Sequence, residues 1–496
     1  MNNAASPQDL SAPSRPGVSV GSSRPGTTAA ALLPAQRIDA AGHSHVDQRA
    51  VLALALPLMA NNAVQIVLNL TDMWFIGHIS TVALAGVATV QWLVLVVVLV
   101  LAGPASAVQT LVAQAYGARC YTRASRAVWT ALWTTLLVSP LFVAIAASSH
   151  FIVAPFGLNA TIEQLAGAFW FPRVAGAAFG VAAWGMLGFF NGIGRPRVTL
   201  LITLITAAAN VLFNYLFIFR WGWGVAGSGW ATTAAQLVGL IGCLVVFLGP
   251  RYRRQYQPYL TWRPRWRPLR QQLKLGLPTG LLPAADLLGI SIFQIMQVRL
   301  GTAGGAATQM AMILTSVAYM PGFGIAMAGT TLVGQSIGAA DKAWAMRVGS
   351  RVILLTSLYM GGIGVLLALA GPVLLPLFTG SQDPDAIAAT VLAAQLLWLA
   401  AGYQFFDGLN LGSGLCLRGA GDVTVPAALV IPVSWCVFLP LAHAFTFAPG
   451  QGWVSFLPQF GWGPVGGWAA LVIYVLLLGT TLFLRWRSGA WQRIKL

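Results

Sequence analysis

Residues 50–76, AVLALALPLMANNAVQIVLNLTDMWFI, are apolar almost throughout and yet contain Asp72. Roughly 20 apolar residues cross a bilayer, so the stretch reads as a membrane-spanning helix with a carboxylate inside it. Counted as about fifteen residues along the helix from Pro57 (72 − 57 = 15) at 1.5 Å per residue, Asp72 is expected deep in the hydrocarbon. Charge there is costly and is kept mostly where it handles ions or substrate. Two further apolar runs, 279–298 and 388–417, hold Asp286 and Asp407 in the same way, in a chain with only 11 acidic residues.

Composition extends this reading to the whole chain. The residues are 57% hydrophobic and 8% charged, with a mean hydropathy of +0.75, which no soluble core requires. Apolar stretches between polar or Gly/Pro breaks give about twelve spans. They fall near 50–76, 84–108, 124–147, 165–190, 196–219, 226–248, 272–298, 305–333, 348–371, 388–417, 424–447 and 463–485. The fold class is therefore an all-α membrane protein. The cysteines, Cys120, Cys243, Cys416 and Cys436, lack the paired spacing of a disulfide framework or zinc site.

A net charge of +17 raises nucleic acid as a partner, but the distribution of charge points elsewhere. About 25 of the 28 Lys and Arg lie in the tails or in, or within a few residues of, loops 2–3, 4–5, 6–7, 8–9 and 10–11, leaving Arg173, Arg220 and Arg299 elsewhere. This alternation is the positive-inside pattern. It predicts that both termini and these loops face the cytoplasm, and no nucleic acid is expected. Loop 6–7 is densest, with Arg251, Arg253, Arg254, Arg263, Arg265, Arg267 and Arg270 among Tyr, Trp and Pro. That composition suits an anchor at anionic lipid headgroups. Residues 1–49, rich in Ser, Pro, Ala and Gly, are expected to form a disordered cytoplasmic tail. The remaining division is an N-lobe at 50–248, an Arg-rich linker at 249–271, a C-lobe at 272–485 and a C-terminal tail at 486–496.

The two lobes repeat one another. Leu-Ala-Leu-Pro ending at Pro57 recurs as Leu-Gly-Leu-Pro ending at Pro278, 278 − 57 = 221 residues later. Gln114, Gly117-Ala118 and Arg126 match Gln335, Gly338-Ala339 and Arg347 at the same offset. Gly192 and Gly194 correspond to Gly419 and Gly421, and Trp223-Gly224 to Trp462-Gly463. Each half has an even number of spans, so the repeat is parallel, with an axis near the membrane normal.

The residues also resemble a known family. Pro57 followed by Asp72-Met73-Trp74-Phe75-Ile76-Gly77 is similar to the first-helix signature of the multidrug and toxic compound extrusion (MATE) transporters. Leu275-Gly276-Leu277-Pro278 followed by Asp286 resembles the seventh helix of the NorM-like branch, where Glu is the commoner acid. Tyr403-Gln404-Phe405-Phe406-Asp407, with Leu417-Arg418-Gly419 beyond, resembles the tenth-helix signature. The resemblance implies a V-shaped pair of six-helix lobes that exports amphipathic, mostly cationic substrates in exchange for Na⁺ or H⁺. It further implies a bacterial inner-membrane location and, as we read it, a monomer without a cofactor or resident metal.

The resemblance assigns an N-lobe cation or proton site to Asp72, with Asn210 and Asn214 on one face of span 5 and Thr232 on span 6. Carboxylate, amide and hydroxyl oxygens suit a hard cation. Amides and hydroxyls also simply join neighbouring helices, so that role stays open for the last three. Asp286, Tyr403 and Asp407 form the candidate C-lobe site, in which Asp286 reaches one methylene less far than the usual Glu. Burial disfavours bare carboxylate charge, so proton, Na⁺ and cationic substrate compete for it.

Two other functions fit the sequence less well. A flippase-type exporter of lipid-linked or other amphiphilic substrates needs a basic cleft facing pyrophosphate, whereas the buried charges here are acidic. A membrane-embedded prenyl transferase needs clustered aspartates for Mg²⁺, and the sequence has none, so no enzyme is expected.

Overall fold

The computed structural model describes residues 33–39, 42–154, 159–377 and 384–494. Among them, eleven helices are long and apolar enough to cross a membrane, or twelve when one bent pair is counted as a single span. They follow the predicted order. Spans 1 to 3 are Gln48–Gly77, Thr81–Leu101 and Tyr121–Ala147. Span 4 is the bent pair Ala160–Ala175 and Ala177–Gly192, with a 42° change of direction. Spans 5 and 6 are Pro196–Arg220 and Gly224–Leu248. Spans 7 to 9 are Trp266–Arg299, Thr302–Gly338 and Lys342–Leu374, and spans 10 to 12 are Ala386–Ala420, Thr424–Thr446 and Gly463–Arg487.

Local chemistry explains where the helices begin and break. Asp47 caps span 1 by accepting the Arg49 N–H, Ser80 caps span 2 through Ala83, and Asp341 caps span 9 through Trp344. Span 2 breaks at Gly103-Pro104 and continues as Gly103–Ser106 and Val108–Gly117, since proline has no N–H to extend the ladder. Spans 5 and 11 each contain a π-turn, Tyr215–Arg220 and Val433–Phe438. Such bulges recur at functional sites.

The repeat is visible in the backbone and in the bonds between lobes. Arg119 and Ala340, 340 − 119 = 221 apart, both turn left-handed after spans 2 and 8, with φ of 56° and 64°. Thr110 Oγ1 donates to the Arg418 carbonyl at 3.0 Å, and Thr331 Oγ1 donates to the Asn191 carbonyl at 3.0 Å. These are one contact seen twice, because 331 − 110 = 221 and 418 − 191 = 227. Gln114 Nε2 to Gly419 O at 3.0 Å and Gln335 Nε2 to Gly192 O at 2.8 Å form a second such pair. Between them, span 2 and span 8 touch through glycine: a Cβ on Gly117 would lie 1.9 Å from Gln335 O, and one on Gly338 2.0 Å from Gln114 O. These contacts all lie at the Arg-rich end of the helices. Farther along, span 1 packs on span 8 with Asn62 Nδ2 donating to Met320 O at 3.2 Å. Span 7 packs on span 2, where Gly276 and Gly103 abut.

Two expected segments differ from the structure. The expected tail, 1–49, falls outside the described residues up to residue 32, but its last part is folded. Strand β1 (Gln36–Ile38) pairs antiparallel with β2 (Ser44–Val46). Trp344 Nε1 ties this hairpin to span 9 by donating to Pro34 O at 2.9 Å. Strands of three residues are too short for alternation to show in the sequence. The expected linker, 249–271, contains the short helices Pro250–Tyr256 and Pro258–Thr261, and span 7 already begins at Trp266. The C-terminal tail also has order, with Trp491 stacked on Trp486 at 4.8 Å.

Candidate functional site

Asp72 lies five residues before the end of span 1 (77 − 72 = 5), nearer the end opposite the Arg-rich loops than the sequence reading expects. It is half-buried and is held sideways against spans 5 and 6. Asn214 Nδ2 donates to Asp72 Oδ1 at 2.7 Å, and Thr232 Oγ1 lies 3.3 Å from Oδ2. Asn214 Nδ2 also donates to Asn210 Oδ1 at 3.0 Å, and Asn210 Nδ2 points to Thr232 Oγ1 at 3.4 Å. The structure thus brings all four predicted N-lobe residues together, and Asn210, Asn214 and Thr232 are buried.

The network is incomplete in an informative way. Asn214 Oδ1 and Ser228 Oγ are buried without a hydrogen-bond partner among the described residues. Thr232 Oγ1 also lies 3.1 Å from the Ser228 carbonyl, so its single proton serves either that oxygen or Asp72 at one time. Buried oxygens left unpaired are costly, and a small cation would satisfy several of them together. Sequence reading missed Ser228, although it precedes Thr232 by four residues and so shares its helix face. Arg173 was missed too. Span 4 packs on span 6 where Thr233 Oγ1 donates to Pro172 O at 2.8 Å, and the adjacent Arg173 acts electrostatically on Asp72. Its position outside the basic loops was the available signal.

The C-lobe carboxylates stand on spans 7 and 10. Asp286 Oδ1 accepts a hydrogen bond from Tyr474 Oη on span 12 at 2.5 Å. Asp407 Oδ1 accepts a long one, 3.5 Å, from Asn410 Nδ2. The two carboxylates are near enough to repel each other, and Tyr319 of span 8 lies in the field of both. Tyr403 is buried near Asp407, with its ring 6.4 Å from Trp468. Among the described residues no hydrogen bond joins Tyr403 to Asp407, and it is Tyr474 whose hydroxyl meets a carboxylate. Nothing in the span 12 sequence marks that residue, because its partner is 474 − 286 = 188 positions away.

Beside the N-lobe network, an apolar groove of about 360 Å³ runs between spans 1 and 5, with Val67, Leu68, Thr71 and Val211 among its walls. Thr71 adjoins Asp72, and Val211 adjoins Asn210, so the groove ends at the carboxylate's own helices.

Comparison with known proteins accords with this geometry. The MatE family profile matches residues 57–216 and 288–442, one segment in each lobe. A relative from Bradyrhizobium diazoefficiens, "Probable multidrug resistance protein NorM", is 31% identical over 88% of this chain and 93% of its own length. One of the same name from Thermotoga maritima is 25% identical over 90% and 93%. Among solved structures, the chain resembles an outward-facing multidrug resistance MATE family transporter of the MOP superfamily, with a TM-score of 0.78 at 19% identity, covering 90% of this chain and 96% of that one. The eukaryotic MATE transporter AtDTX14 superposes with a TM-score of 0.75 at 16% identity, over 89% and 96%. These two likenesses are of fold, and the profile spans most of both repeats: the chain belongs to the MatE family.

Proposed function

We propose that this multi-pass membrane protein is a secondary antiporter that exports amphipathic organic cations, as in multidrug efflux, in exchange for Na⁺ or H⁺. The observation that carries the reading is the Asp72 network, a carboxylate held by three buried polar side chains and bordered by oxygens without partners. Rotating the Asn214 amide would replace its NH₂ beside Asp72 with its unpaired oxygen. The same residues then serve a bare carboxylate in one state and a hard cation in the other. The groove between spans 1 and 5 offers apolar walls for the body of a cationic substrate whose charge is drawn to Asp72. Asp286 and Asp407, near enough to repel, form a second acidic site that gains from any bound cation. Tyr403 and Tyr474 supply oxygens there.

Exchange needs only competition for these charges and two lobe arrangements. The bonds across the pseudo-twofold axis close one end of the molecule, and parallel repeats rock about such an axis. The Arg-rich loops and both termini are assigned to the cytoplasm of a bacterial cell, which places the protein in the inner membrane, working as a monomer without a cofactor. The names of its relatives support the efflux reading, and the positive-inside pattern supports the orientation.

Efflux of a fluorescent organic cation from cells, with the Na⁺ and proton gradients collapsed separately, tests the proposal. Loss of efflux on collapse of one gradient is the expected result and identifies the ion. Efflux that survives collapse of both would overturn antiport.

A further inference from the structure

A groove of about 500 Å³ at the Arg-rich end belongs to neither carboxylate site. Its walls come from both lobes: Trp133, Leu137 and Pro140 of span 3, and Arg265, Trp266 and Leu269 at the start of span 7. Three hydrogen bonds hold the linker against span 3 and so preform the groove. Ser125 Oγ and Thr261 Oγ1 lie 2.8 Å apart, Trp129 Nε1 donates to Pro258 O at 2.9 Å, and Trp133 Nε1 donates to Trp262 O at 2.6 Å.

The groove is polarised along its length. From Thr130 to Pro140 it follows span 3 for about 15 Å, half of a hydrocarbon core of about 30 Å, so its apolar part has the depth of one leaflet. Leu137 is 71% exposed there. At the other end stand Arg265 and, one turn before Thr130, Arg126, close enough together to repel. Neither forms an ion pair among the described residues. The chain has no Asp or Glu between Asp72 and Glu163, or between Glu163 and Asp286, to supply one locally. Trp133 and Trp266 sit between the charged and apolar parts, where indole rings favour the headgroup level. Two unneutralised guanidinia above a leaflet-deep apolar trough match a molecule with an anionic head and a hydrocarbon tail. A free anion would have no use for the trough.

We propose that this groove binds one anionic phospholipid, with its phosphate between Arg126 and Arg265 and an acyl chain along Leu137 and Pro140. The lipid then touches both lobes at the end where they meet.

The test uses the full chain purified in detergent, equilibrated with equal amounts of phosphatidylglycerol and phosphatidylcholine, with bound lipid counted by native mass spectrometry. One phosphatidylglycerol retained in preference to phosphatidylcholine is expected. At about fivefold per basic charge near a headgroup, R126Q/R265Q should lower that preference roughly 25-fold. Arg487→Gln, at the same end but away from the groove, should leave it unchanged. Leu137→Trp, which fills the trough and keeps both arginines, should also displace the lipid, and it decides the matter should the double variant fail to fold. Equal retention of the two lipids by the wild type, or an unaltered preference in R126Q/R265Q or Leu137→Trp, overturns the proposal. Displacement of phosphatidylglycerol by glycerophosphate at equal concentration would also overturn it, since the site would then read the headgroup alone.

Discussion

Asp72, Asn214 and Thr232 meet from three helices at distances of 2.7 and 3.3 Å, so the N-lobe site depends on charge and geometry together. Asp72→Asn keeps the shape and removes the charge. It should reduce gradient-driven export by about tenfold or more, the scale on which one intramembrane charge acts, in a protein that still inserts. The readout is substrate efflux against an imposed ion gradient, and an unchanged gradient dependence would refute the coupling role. In the C-lobe, Asp286→Asn and Asp407→Asn should each weaken Na⁺-dependent substrate release if Na⁺ is the coupling ion. Tyr474→Phe should weaken it less, because it removes one donor and no charge. Purified variants with wild-type Na⁺ responses would assign the pair a purely structural role. The carboxylates were legible in sequence because a charge within an apolar run stands out. Tyr474 and Ser228 were not, since a lone hydroxyl in a span carries no such contrast and its partner is set by packing between distant helices.

At the scale of helices, the ends of spans 2 and 8 form a clasp that uses the same bonds twice across the pseudo-twofold axis. Gly117 and Gly338 allow the approach, and a methyl at either position meets a carbonyl oxygen at about 2 Å. Gly117→Ala should therefore destabilise the closed Arg-rich end by about 1–3 kcal/mol, the usual cost of overpacking. Spin labels at positions 197 and 347, exposed at that end of the two lobes, should move apart in the variant. An unchanged distance distribution would mean that the helices shift locally and the lobes stay together. The spans themselves were readable because length and apolarity set them. The bend in span 4 and the π-turns in spans 5 and 11 were not, although Pro172 lies one turn before the bend and Pro432 just before the π-turn of span 11, because an in-span proline marks a weak point without fixing the distortion that results. The glycines of the clasp showed in the sequence only as matched positions of a repeat, and the structure supplies the reason: they meet across the axis.

Over the whole molecule, the repeat is retained where the lobes touch and lost where the charges lie. At the offset of 221, Asp286 corresponds to Gln65 and Asp72 to Phe293, so each half has its own acidic residues within a shared frame. The proposed exchanger, with unlike acidic clusters in its two lobes, is directional only if its orientation is fixed, and the placement of Arg is the physical determinant of that orientation. The prediction uses a background in which all four native cysteines are replaced, because Cys120 and Cys436 are exposed. A cysteine at position 254, in the exposed linker, should resist an impermeant thiol reagent added outside intact cells. One at position 451, in the exposed loop before span 12, should react with it. Position 451 is preferred to loop 9–10, where residues 378–383 lie outside the described residues. The reverse labelling pattern would invert the topology. It would also reverse the proposed direction of export, because the coupling ion would then enter from the face that carries the Arg-rich loops.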